Sequence, residues 1–116
     1  MAIALIAISI DGADIGHLAQ FWADVLGRPV DPGATDSHAA ITTPEGLRVL
    51  FHQVPEGKVV KNRVHPDLAS ADYQAETDRL IKLGAAQLNE VEQGGNRWRT
   101  FNDPEGNEFD LVAISA

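Results

Sequence analysis

The chain has 116 residues, 44% of them hydrophobic and 22% charged, which suits one ordinary folded domain and excludes a disordered segment. It has no cysteine, which excludes disulfides, thiolate metal sites and a cysteine nucleophile, and fits a reducing cytoplasm. The net charge of -8, with no basic stripe, argues against nucleic acid as a partner and mildly favours cationic ligands.

Met1 to Ile10 is apolar and is ended by Asp11. It is too short to span a membrane, and no Lys, Arg or small-residue cleavage site accompanies it. It reads as a buried first strand, with Ile6, Ile8 and Ile10 alternating against Leu5, Ala7 and Ser9. Asp14 then reads as the N-cap of a helix carrying Leu18, Phe21, Trp22, Val25 and Leu26, which Gly27 stops. Trp22 lies in that apolar stripe and is read as core. Residues 37–43 and 47–54 read as strands around a Pro44-Glu45-Gly46 turn.

Polar residues 55–62 read as a connection, and 63–69 as a further strand. Asp72 caps a second helix with Tyr73, Thr77, Leu80, Ile81 and Leu83 on its apolar side and Gly84 at its end. Residues 86–91, 96–102 and 108–114 read as strands, the last two joined by the turn Asp103-Pro104-Glu105-Gly106-Asn107. The second half therefore runs strand, helix, three strands, and the first half is read as the same order. Three matches support a duplication. Ile10-Asp11-Gly12-Ala13-Asp14 lies 58 residues before Leu68-Ala69-Ser70-Ala71-Asp72. Leu26-Gly27 returns 57 residues later as Leu83-Gly84, and Pro44-Glu45-Gly46 returns 60 residues later as Pro104-Glu105-Gly106.

With this duplication the chain resembles the vicinal-oxygen-chelate superfamily, which includes glyoxalase I, extradiol dioxygenases, fosfomycin-resistance transferases and bleomycin-resistance proteins. The resemblance rests on the run from Arg97 to Val112, on Phe21-Trp22 through Leu26-Gly27, and on Asn62 to Leu68, and it spans essentially the whole chain. It implies an α+β fold of two tandem βαβββ modules, residues 1–54 and 63–116 with a linker at 55–62, forming a curved mixed β-sheet cup. It also implies a homodimer.

Enzymes of the family carry a metal ligand on the first and last strand of each module. By resemblance, two of these places fall on His65 and Asp110. The repeat offsets carry them back to Ala7 and Leu50, neither of which has a donor atom. The expectation is therefore a cup without a complete metal site and with no cofactor. A divalent ion would need His52, or Gln53, to join His65 and Asp110.

The side chains expected to line a ligand site are His65, Asp67, Trp98, Thr100, Asp110 and His52. His65 beside Asp67 makes a candidate acid–base pair, because imidazole titrates near neutrality and a carboxylate can orient it. Asp110 stands between Phe109 and Leu111, so strand alternation turns it to the face opposite theirs. If Asn102 pairs with Glu108 across the turn, Thr100 faces Asp110 with Trp98 beyond it, and the indole offers a stacking surface. Arg63, Arg97 and Arg99 read as solvated surface residues. Three functions stay open: binding or sequestering a small organic molecule, a metal-dependent lyase, isomerase or dioxygenase, and a metal-free enzyme using His65 or Asp110 as base.

Overall fold

A computed structural model describes residues 2–115; Met1 and Ala116, the outer ends of the two expected modules, lie outside the described residues. The elements run β1 (Ala7–Gly12), α1 (Ile15–Leu26), β2 (His38–Thr42), β3 (Arg48–Gln53), β4 (Asp67–Ser70), α2 (Tyr73–Leu83), β5 (Ala86–Gln93), β6 (Asn96–Asn102) and β7 (Glu108–Ala113). They form an α+β fold with two mixed sheets, β1-β3-β2 and β4-β7-β6-β5. The chain divides into two units, the first ending at Gly57 and the second beginning at Lys58.

In the first unit Asp14 caps α1 by accepting a hydrogen bond from the His17 N–H at 3.2 Å. The helix packs on β2 and β3. Ile15, Leu18, Phe21, Trp22 and Val25 are buried, as are Ile41, Val49 and Phe51 from the strands. One sequence expectation changes here. The apolar start is not a buried strand, since Ile3, Leu5 and Ile6 are exposed and β1 begins only at Ala7. The reason is the partner strand, whose first residue, Arg48, pairs with Ala7 and follows directly on a turn. The connection between α1 and β2 is irregular and carries Pro29 and Pro32, which have no N–H to give a ladder. Bonds from the Asp31 N–H to Ala40 O and from the Thr35 N–H to His38 O, both 2.8 Å, and from Thr42 Oγ1 to Asp31 Oδ2 at 2.7 Å tie it to β2.

In the second unit α2 packs on β7 and buries Tyr73, Thr77 and Leu80. Ile81, expected on the apolar side, is exposed. Asp72 stands at the N-cap with no side-chain capping bond. The strand expected at 63–69 is shorter, β4 starting at Asp67, because its partner β7 starts only at Glu108 and Pro66 can accept but not donate. Phe101 and Phe109 are paired on β6 and β7, fully buried, with ring centroids 5.6 Å apart. A register shift between Gln87 and Asn89 inserts a bulge in β5.

The turns are built alike. The Thr43 N–H bonds to Leu47 O and the Gly46 N–H to Thr43 O, and the Asp103 N–H bonds to Asn107 O and the Gly106 N–H to Asp103 O. Gly46 and Gly106 have φ of 91° and 88°, a region that side chains resist. The parallel pairings correspond as well: Ser9 faces Leu50 as Asp67 faces Asp110. Those residues are separated by the repeat offsets found in the sequence, so the duplication is visible in backbone register. It also places Leu50, not His52 or Gln53, at the position equivalent to Asp110.

Candidate functional site

Strand pairing in the second unit lays out a row across four strands. Asp67 on β4 pairs with Asp110 on β7, Asp110 with Thr100 on β6, and Thr100 with Asn89 on β5. Paired residues share a face, so all four side chains leave the face opposite Phe101 and Phe109. The next row is apolar, with Val112 paired to Trp98 and Trp98 to Val91. The two rows line a concavity of about 520 Å³, with His65, Lys61, Asn96 and Glu108 also at its wall. That volume is within the usual range for small-molecule clefts.

Asp110 is buried on this surface, 7% exposed, as is Glu108 at 6%. Thr100 Oγ1 donates to Asp110 Oδ1 at 2.6 Å, and His65 Nδ1 lies 3.2 Å from Asp110 Oδ2. His65 Nδ1 is also 3.5 Å from Asp67 Oδ1. Two carboxylates directly opposite each other on neighbouring strands repel, and the imidazole N–H set against both relieves that. These contacts place the proton on Nδ1 and leave Nε2 as the atom available to a bound molecule.

Of the six residues expected at the site, five line this concavity: His65, Asp67, Trp98, Thr100 and Asp110. His52 is the sixth. It lies on β3 of the first unit, where its ring meets that of His38. Asn89 and Val91 were missed, although both follow from strand alternation once the β5 bulge is known. Arg97 and Arg99 are not simple solvated groups. Both Nε atoms donate to Glu90 Oε2 at 3.0 Å, and both guanidinium groups lie 4.6 Å from the Tyr73 ring centre. Burial and the hydrogen bond to Glu90 push the Tyr73 phenol above its ordinary value. Burial would raise the Glu90 carboxyl, but the bonds from Tyr73 and Arg97 and the charges of both arginines hold it below the ordinary range.

Glu108 also lines the concavity. Lys58 Nζ lies 3.1 Å from its Oε1 and 2.9 Å from its Oε2, and the Asn62 N–H donates to Oε1 at 3.0 Å. The end of the expected linker is thereby tied to β7. Burial favours a neutral Glu108, but Lys58 and the Asn62 N–H outweigh it and hold the carboxyl below its usual value. A depressed folded-state pKa adds stability above the unfolded value of about 4.3, and that stability is lost as pH falls through the folded value. Glu108→Gln should therefore be less stable than wild type at pH 7 and approach it as the pH drops below about 4. Urea melts of both proteins across that range check this, and parallel curves would refute it.

The glyoxalase-like domain model matches residues 7–112. The chain belongs to the glyoxalase-like domain family. Among solved structures it is similar to the fosfomycin resistance protein FosX of Listeria monocytogenes, with 18% identity, a TM-score of 0.82 and coverage of 99% of this chain and 94% of that one. It is also similar to a glyoxalase/bleomycin resistance protein/dioxygenase family enzyme from Burkholderia phytofirmans PsJN, with 16% identity, a TM-score of 0.79 and coverage of 97% and 99%. At these identities the likeness shows the fold, and it agrees with the superfamily resemblance in the sequence. A search of curated proteins finds no match. No helix among the described residues is long and apolar enough to cross a membrane.

A mutant FosX was solved with Mn(II) and 1S,2S-dihydroxypropylphosphonic acid, so this fold family raises the question of a metal. His65, Asp67 and Asp110 each offer a ligand atom within 4.8 Å of the others. One nitrogen and two oxygens fit a divalent ion that keeps several waters. They do not make a closed four-donor site. Ala7 and Leu50 have no atom to add.

Proposed function

We propose that the concave face of the second sheet binds a small ring-bearing organic molecule with a cationic or hydrogen-bond-donating group. The observation that carries this reading is the pairing of a polar row, Asp67–Asp110–Thr100–Asn89, with an apolar row, Val112–Trp98–Val91. The carboxylates would take the donor group and the Trp98 indole the ring. The protein's net charge of -8 works in the same direction. His65 Nε2 adds an acceptor that can also move a proton.

A second reading is favoured by the three clustered donors. A divalent ion held by His65, Asp67 and Asp110 would polarise an oxygen of the bound molecule. Tyramine is a suitable probe for both readings. Of the two tryptophans, Trp22 is buried at 2% exposure and Trp98 is half-buried, so a change in emission on titration reports mainly on Trp98. Tyramine should quench it in the presence of EDTA, and Asp110→Asn should weaken the affinity roughly tenfold, the worth of one hydrogen bond to a charged group. Equal binding by Asp110→Asn would sink the proposal. Quenching that needs added Mn(II) and disappears in His65→Ala would favour the ion-assisted reading instead.

A further inference from the structure

We propose that His38 and His52 form a two-imidazole site for a zinc(II) ion on the first sheet. His38 on β2 and His52 on β3 are directly paired in antiparallel register. Both side chains therefore leave the same face of the sheet. Their Nδ1 atoms are 3.4 Å apart, and the rings, with centroids 4.9 Å apart, are tilted by 49°.

That separation is longer than a normal N–H hydrogen bond, which spans about 2.7–3.2 Å. It matches the span of two nitrogens sharing one ion. With each Zn–N bond at about 2.0–2.1 Å, a 3.4 Å separation corresponds to an N–Zn–N angle of about 110°, the tetrahedral value. Copper(II), which prefers a square arrangement, would need the nitrogens closer together. Two positions on the ion stay open to water or to a small anion.

The backbone around the pair is already held. The Thr35 N–H bonds to His38 O at 2.8 Å and the Gln53 N–H to Ser37 O at 2.9 Å. Capture of the ion then demands side-chain rotation rather than movement of the strands, which keeps its entropic cost small. His38 is exposed and His52 half-buried, so the ion can enter from solvent. Asp11 stands on β1 at the position paired with His52, in the same row, and its charge favours a cation there.

Calorimetric titration of zinc chloride into the intact chain tests this, run on wild type and on His38→Ala, His52→Ala and His65→Ala. Wild type and His65→Ala should each take up one zinc ion at this site. His38→Ala and His52→Ala should each bind it roughly tenfold more weakly or worse, because one imidazole alone remains. Unchanged melting of the metal-free variants would show that a site and not the fold was lost, and His38→Gln serves if His38→Ala melts early. A zinc stoichiometry and affinity in His38→Ala equal to those of wild type, or a loss of zinc confined to His65→Ala, overturns the proposal. So does a wild-type chain that takes up no zinc.

Discussion

Phe109→Ala should lower the free energy of unfolding by about 3–5 kcal/mol, the usual cost of truncating a fully buried aromatic ring. Phe109 is 0% exposed and lies with its ring 5.6 Å from that of Phe101, which is equally buried. No solvent can fill the space, and the paired strands β6 and β7 allow little collapse. The effect should reach the candidate site. Phe101–Phe109 and Thr100–Asp110 are successive pairs on the same two strands, so packing on one face sets the register that brings Thr100 to Asp110 on the other. Urea denaturation measures the loss, and a change under 1 kcal/mol, well below the usual range, would show that the ring is not core.

The second large effect is expected at the turn before β7. Asp103 is 3% exposed, and its Oδ1 accepts from the Glu105 and Asn107 N–H groups at 2.9 and 3.0 Å. Its Oδ2 accepts from Asn107 Nδ2 at 3.1 Å. Hydrogen bonds to a charged acceptor contribute more than neutral ones, and Asp103→Ala removes several together, for an expected cost of about 2–3 kcal/mol. The equivalent turn in the first unit supplies a control. Thr43, 60 positions earlier, accepts one bond, from the Leu47 N–H at 3.1 Å. Thr43→Ala should cost about 0.5–1.5 kcal/mol, the net worth of one neutral bond. Equal losses in the two variants would remove the argument that the second turn is held by its carboxylate.

Much of the second unit is legible in local chemistry. Asp-Pro-Glu-Gly-Asn marks its turn, Gly84 ends its helix, and alternation along β7 turns Asp110 away from Phe109 and Leu111. Once the turn is placed, pairing across it brings Thr100 opposite Asp110, because a hairpin's register follows from its loop. Local signals served less well where a segment's fate depends on its neighbour. The side chains of the apolar start suit a buried strand, yet the ladder with β3 begins at Ala7, with only the Ile6 carbonyl accepting from the Arg48 N–H before it, and Ile3, Leu5 and Ile6 are exposed. The β5 bulge, and with it the place of Asn89, arises from fitting two strands together.

The sequence by itself determined the duplicated architecture, the two turns, and the donorless residues Ala7 and Leu50 at places equivalent to His65 and Asp110. These follow from residue type and spacing, which local backbone chemistry reads directly. Only the tertiary structure decided which polar side chains meet. It set Asp67 beside Asp110 through the parallel pairing of β4 and β7, tied Lys58 to Glu108 across 50 residues, and brought His52 against His38. Contacts between strands distant in the chain depend on register, and register is fixed by the packing of the whole sheet, not by the residues that happen to face each other.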